Sequence, residues 1–132
     1  MSLTQADQTK YKALFLQAAG EYVAELQKNL IELKQGKETS EIIDTLHRAA
    51  HSIKGQSLMM GYTSLGALSL RIEKIFEAKK NKRIVLTKDL VDILMIAVDE
   101  MAHCMDSIEK TNKENDLSPV IESLNSYIVI SV

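Results

Sequence analysis

Apolar positions recur along most of this chain at the spacing of an α-helix, and short polar stretches interrupt them four times. The first pattern runs from about Gln8 to Lys34. Its stripe is Tyr11, Phe15, Ala18, Tyr22, Leu26, Leu30 and Leu33, and Gly36 is a stop signal. A second helix is predicted over 41–59, after the cap candidate Ser40, with Ile42, Ile43, Leu46, Ala49, Ala50 and Ile53 on its buried face. A third, over 64–80, opens near the cap candidates Thr63 or Ser64 and carries Leu65, Leu68, Ile72, Ile75 and Phe76. The fourth, over 87–110, repeats Leu90, Leu94, Ala97, Met101, Met105 and Ile108. A short fifth helix, over 119–127, is announced by Ser118-Pro119, a cap followed by proline at the first helical position.

No segment alternates as a strand would. The connections Gly36–Ser40, Asn81–Leu86 and Asn112–Leu117 are short and polar. Short links between long amphipathic helices make consecutive helices antiparallel, so the pattern predicts an all-α, up-down bundle built as one domain over 1–132. Only 5% of residues are aromatic and Trp is absent, so aliphatic side chains and methionine must fill the core. Met95, Met101 and Met105 sit at core spacing. Met59 and Met60 close the second helix, where partial exposure would suit docking.

Charge narrows the function classes. Sixteen basic and 18 acidic residues leave a net charge of −2, which gives no electrostatic case for binding nucleic acid or an anionic membrane. The run Lys79, Lys80, Lys82 and Arg83 reads as a solvated loop. Cys104 is the single cysteine, so no internal disulfide can form. That fits a cytoplasmic location, as does the lack of a bilayer-spanning stretch or a signal peptide. Met1-Ser2-Leu3 reads as an expression remnant, and the apolar ending Tyr127–Val132 has no functional reading.

The chemistry-bearing stretch is His47-Arg-Ala-Ala-His51-Ser-Ile-Lys54-Gly55-Gln56. At about 100° per residue, Leu46, Ala50 and Ile53 share the core face. His47, His51, Lys54, Gly55 and Leu58 fall on another, contiguous face. Gly55 lies one turn beyond His51 and costs the helix about 1 kcal/mol relative to alanine. Room for an incoming group beside His51 is a physical reason for it. Lys54, at i+3, can place an ammonium beside that group, and an accessible imidazole can act as a nucleophile. A solvated surface histidine is the competing reading. His47 and His51, at i and i+4, also suit two zinc ligands. However, the residues between them are Arg-Ala-Ala, without the glutamate of a zinc-protease helix, and His103 and Cys104 lie mid-helix, with Cys104 near the core stripe of Met101 and Met105. There is no glycine-rich phosphate loop, nucleophile elbow or dinucleotide fingerprint.

The string His51-Ser-Ile-Lys54-Gly55 resembles the H-x-x-K-G core of histidine phosphotransfer domains. The longer Arg48-Ala-Ala-His-Ser-Ile-Lys-Gly55 is similar to the N-terminal phosphotransfer domain of CheA-type chemotaxis kinases. Gly61-Tyr62 fits that family's Gly-aromatic turn, Leu65, Leu68 and Ile72-Glu73 fit its next helix, and the remaining helices fit along nearly the whole chain. After Gly55 the run Gln56-Ser-Leu-Met-Met60 departs from the small residues usual in the family, which bears on the docking partner.

The resemblance implies an antiparallel up-down four-helix bundle with an additional short C-terminal helix, monomeric as an isolated domain. It implies that His51 accepts a phosphoryl group on its outward ring nitrogen, that Lys54 stabilises the phosphate charge, that Gly55 gives access and that Glu73 orients His51. The implied partners are the catalytic domain of a histidine kinase and a response-regulator receiver domain whose aspartate takes the phosphoryl group. No cofactor, metal, nucleic acid or membrane insertion is implied, and no ATP site of its own. The competing versions are a free-standing phosphorelay protein and a helical interaction bundle without phosphate chemistry.

Overall fold

Helix starts are set by side chains that accept the free N–H groups of each first turn. The computed structural model describes residues 4–128; Met1–Leu3 and the last four residues of the apolar ending lie outside that range. α1 (Gln5–Lys34) opens with a reciprocal cap: Thr4 Oγ1 accepts the Asp7 N–H at 3.0 Å, and the Asp7 carboxylate accepts the Thr4 N–H. α2 (Ser40–Met59) is capped by Thr39, which accepts the Ile42 N–H at 3.1 Å. Ser40, expected as the cap, is the first helical residue instead. Thr87 caps α4 (Lys88–Thr111), and Asp116 accepts the Ser118 N–H at the start of α5 (Ser118–Ile128).

The exception is α3 (Thr63–Lys80). Neither Thr63 nor Ser64 caps it, and Tyr62 at the cap position offers no side-chain hydrogen bond. The carboxylate of Glu114, from the connection between α4 and α5, takes the role. It accepts the Leu65 N–H at 2.7 Å and the Ser64 N–H at 3.3 Å. An anion at a helix N-terminus also meets the positive end of the helix dipole. Glu114→Ala should therefore lower stability by about 1–2 kcal/mol, read as a shifted midpoint in urea denaturation. An unchanged midpoint would mean that water replaces the carboxylate without loss.

The four long helices form a ring: α1 packs on α2 and α4, and α3 packs on the same two. α5 covers α3 and α4. This is the up-down four-helix bundle with a short additional helix. The core is aliphatic, with Leu26, Leu30, Leu46, Ile53, Leu65, Leu68, Ile72, Ile75, Phe76, Leu90, Leu94 and Met101 essentially closed to solvent. One stripe differs from expectation. On α1, Ala19 and Val23 are buried, while Ala18 and Tyr22 are half-exposed and Tyr11 is exposed. Phe15, Leu26, Leu30 and Leu33 are buried as expected, so the shift is confined to the middle of the helix.

Between α2 and α3, Gly61 takes a left-handed φ of +83°, which an L side chain rarely tolerates. It brings the Tyr62 N–H to the Ser57 carbonyl at 2.8 Å and sets the Tyr62 ring against Phe15, with centroids 5.2 Å apart. At the far end of this helix pair only half of the basic run is the expected exposed loop, Lys82 and Arg83. Lys79 and Lys80 form the last turn of α3 and pair with Glu38 at 2.8 Å and Asp44 at 3.0 Å. Cations at a helix C-terminus oppose its dipole favourably, and here they also tie α3 to the start of α2.

Candidate functional site

Leu46, Ala50 and Ile53 are buried and hold α2 against the core, which leaves His51 on the outer face with a side chain 62% exposed. Across the α2–α3 contact lies Glu73, next to fully buried Ile72 and itself almost closed to solvent. The two side chains meet: His51 Nδ1 lies 2.5 Å from Glu73 Oε2. The other carboxylate oxygen, Oε1, lies 2.7 Å from the Lys54 ammonium. That approach is a charge contact rather than an aligned hydrogen bond, and Oε1 has no other partner among the described residues.

Burying a carboxylate is costly unless it is paired. Burial pushes the Glu73 carboxyl up. The contacts with Lys54 and then His51 pull it down harder, so it ends below the usual carboxylate range. Glu73 is therefore ionised at neutral pH and can only accept. The hydrogen in the 2.5 Å contact belongs to Nδ1 of His51, which leaves the lone pair on Nε2. The arrangement provides an exposed nucleophilic nitrogen of fixed tautomer on a rigid helix.

Lys54 differs from expectation in one respect. Its ammonium, expected beside the incoming group at His51, rests on Glu73, and its side chain is only 23% exposed. Gly55 is exposed, and a Cβ added there would meet nothing within 4 Å. Packing does not require this glycine. Gly55→Ala should stabilise the bundle by about 0.5–1 kcal/mol yet slow transfer to a protein partner severalfold. Thermal melts and transfer rates measured on the same samples check both halves, and an undiminished rate would remove the access role.

A shallow groove of about 330 Å³ runs beside the ring, lined by His47, Arg48, His51, Glu73 and Glu77. Glu77 belongs to this groove although no sequence signal singled it out, and Arg48, which opens the Arg-Ala-Ala-His string, lines it too. Met59 is 86% exposed, whereas Met60 is half-buried against the core. His103 is exposed and Cys104 fully buried. Among the described residues no three His, Cys, Asp or Glu side chains gather as a metal site requires.

The family model described as "Hpt domain" matches residues 10–111, most of the chain. The chain belongs to the Hpt domain family. Among relatives, this Hpt domain is 29% identical over 120 residues to the Chemotaxis protein CheA of Bacillus subtilis, spanning 90% of this chain and 18% of that one. It thus spans under a fifth of the length of that relative. It also resembles the solution structure of the histidine phosphotransfer domain of CheA, at 26% identity and a TM-score of 0.81, covering 92% of this chain and 94% of that one. At the level of fold alone it matches the crystal structure of the phosphorylated P1 domain of CheA3 in complex with CheY6 from R. sphaeroides, with a TM-score of 0.83, 18% identity, and coverage of 90% of this chain and 95% of that one. The Hpt domain thus resembles the histidine phosphotransfer domain of CheA over nearly its whole length. No helix among its described residues is long and apolar enough to cross a membrane.

Proposed function

We infer that His51 is the phosphoryl acceptor of this domain, through Nε2, and that Glu73 fixes its tautomer. The observation that carries this reading is the 2.5 Å contact from His51 Nδ1 to a buried, ionised carboxylate. It directs the free lone pair outward and stabilises the positive charge that builds on the ring as the N–P bond forms. Lys54 offsets Glu73 in the resting state. Its four-carbon stem lets the ammonium move from Oε1 to an arriving phosphoryl oxygen, where a charge-assisted hydrogen bond is stronger than a neutral one. Gly55 leaves the approach open, and Leu58 and Met59 extend the exposed face with apolar contact area for a partner.

The donor is ATP acting through a separate CheA-type catalytic module, and the acceptor is the aspartate of a receiver domain. The complex of a CheA3 domain with CheY6 is a structural precedent for the second step. The domain has no ATP site of its own and works as a phosphocarrier in the cytoplasm, as a single module over 1–132. Incubating the chain with ATP and a CheA-type catalytic fragment, followed by peptide mapping, tests this. Phosphate should map to the peptide bearing His51 and should be absent when the fragment is omitted. Label on another residue, or label gained without the fragment, would overturn the assignment.

A further inference from the structure

His47 lies one turn before His51 on α2, and both line the same groove. Side chains on a helix lean towards its N-terminus, so the His51 ring covers the turn that begins at His47. His51 Nδ1 is committed to Glu73, so a phosphoryl group would arrive on the other nitrogen of a ring that lines this groove together with His47. His47 is half-buried there, with no hydrogen-bond partner among the described residues. A half-buried imidazole without a partner, beside a position that is to receive a dianion, has donors to offer it.

The groups facing His47 decide its charge before that happens. α3 presents Lys80, Glu73 and Glu77, and α2 presents His51. The groove wall adds Arg48, Asp44 pairs with Lys80 at 3.0 Å, and α1 contributes no residue to the groove. Burial, then the charge of Lys80, hold His47 below the ordinary imidazole value, against a weaker upward pull from Glu73 and Glu77. In the unphosphorylated domain His47 is therefore neutral at neutral pH.

We propose that His47 takes up a proton when His51 is phosphorylated, and that the imidazolium so formed holds the phosphoryl group in the groove. This rests on His51 being the acceptor. In the transfer step Nε2 of His51 attacks phosphorus, the N–P bond forms, and the bond from phosphorus to the donor breaks with its electron pair leaving on the donor. The Nδ1 hydrogen stays between His51 and Glu73. The additional proton reaches His47 from solvent, and His47 makes no bond to phosphorus. A dianion within hydrogen-bond reach favours the charged imidazole. The sign follows by linkage: His47 titrates higher in the phosphorylated domain, so the phosphorylated state gains stability as pH falls through the interval between the two titration points. Above both points His47 contributes nothing.

The test uses the chain as it is, labelled with nitrogen-15 and phosphorylated with phosphoramidate, a small donor that needs no kinase. Phosphorus NMR and peptide mapping establish phosphohistidine at His51. Imidazole titrations then follow His47 before and after, with exposed His103 on α4 as the spectral reference. The His47 midpoint should rise by about one pH unit or more on phosphorylation. His47→Asn should leave His51 phosphorylated but shorten the phosphohistidine lifetime relative to wild type, with the deficit growing as pH is lowered. With His51 demonstrably phosphorylated, a His47 midpoint that stays in place, or a variant lifetime equal to wild type at every pH, overturns this role alone. If no phosphohistidine forms at His51, the acceptor assignment falls and this proposal falls with it.

Discussion

His51→Gln should reduce phosphorylation by a CheA-type catalytic fragment to background while the bundle stays folded. The ring is 62% exposed, and the residues that anchor its helix, Leu46, Ala50 and Ile53, are untouched. A glutamine amide has donors for Glu73 but no nucleophilic nitrogen, so chemistry is lost without leaving the buried carboxylate bare. The stability cost should be about 1 kcal/mol or less, the worth of one hydrogen bond. Phosphate incorporation and a circular-dichroism melt, run side by side, check it. His47→Gln is the comparison, since it should still be labelled. Phosphate retained by His51→Gln, or label mapped to a residue other than His51 in His47→Gln, would move the acceptor elsewhere.

Glu73→Gln should have the second-largest effect, slowing phosphorylation by about tenfold or more, equivalent to about 1.4 kcal/mol in the barrier. The amide oxygen can still accept from Nδ1, but the amide nitrogen then faces the Lys54 ammonium, donor against donor. Turning the amide around satisfies Lys54 and puts the NH₂ against the ring, which favours the opposite tautomer. Either way the ring no longer has one enforced tautomer, and imidazole nitrogen chemical shifts should show a mixed population. The folded carboxyl sits below its unfolded value, so it stabilises the protein above the usual carboxylate range, and this contribution is lost as pH falls through the lower folded value. The stability gap between wild type and Glu73→Gln should therefore narrow on acidification below about pH 4. Transfer as fast as wild type, with unchanged ring tautomers, would remove the orienting role.

How much of this was legible in the sequence depended on how local each feature is. The core stripes of α2, α3 and α4 follow from periodicity because each of these helices buries one well-defined face. On α1 the periodicity found Phe15, Leu26, Leu30 and Leu33, and only the middle of the stripe came out one residue off, at Ala19 and Val23 in place of Ala18 and Tyr22, with Tyr11 left exposed. His51, Lys54 and Gly55 lie within one turn of one helix, so their proximity could be derived. The role of Glu73 rested on a resemblance, because the contact spans two helices and 22 residues. The resting place of Lys54 was missed for a related reason: a lysine's neighbour in sequence says little about which carboxylate its long stem reaches. Glu114 gave no signal at all, since a cap supplied from about 50 residues away leaves no local trace.

That distant cap sets where the module can be cut. The family match stops at residue 111, but the carboxylate that closes the N-terminus of α3 stands at 114, and α3 carries Glu73. A piece trimmed to the matched span would keep every residue around His51 and still loosen the helix whose Glu73 meets the ring. Excision for grafting onto a kinase should therefore retain the connection after α4, together with α5, whose Val120 and Leu124 are buried.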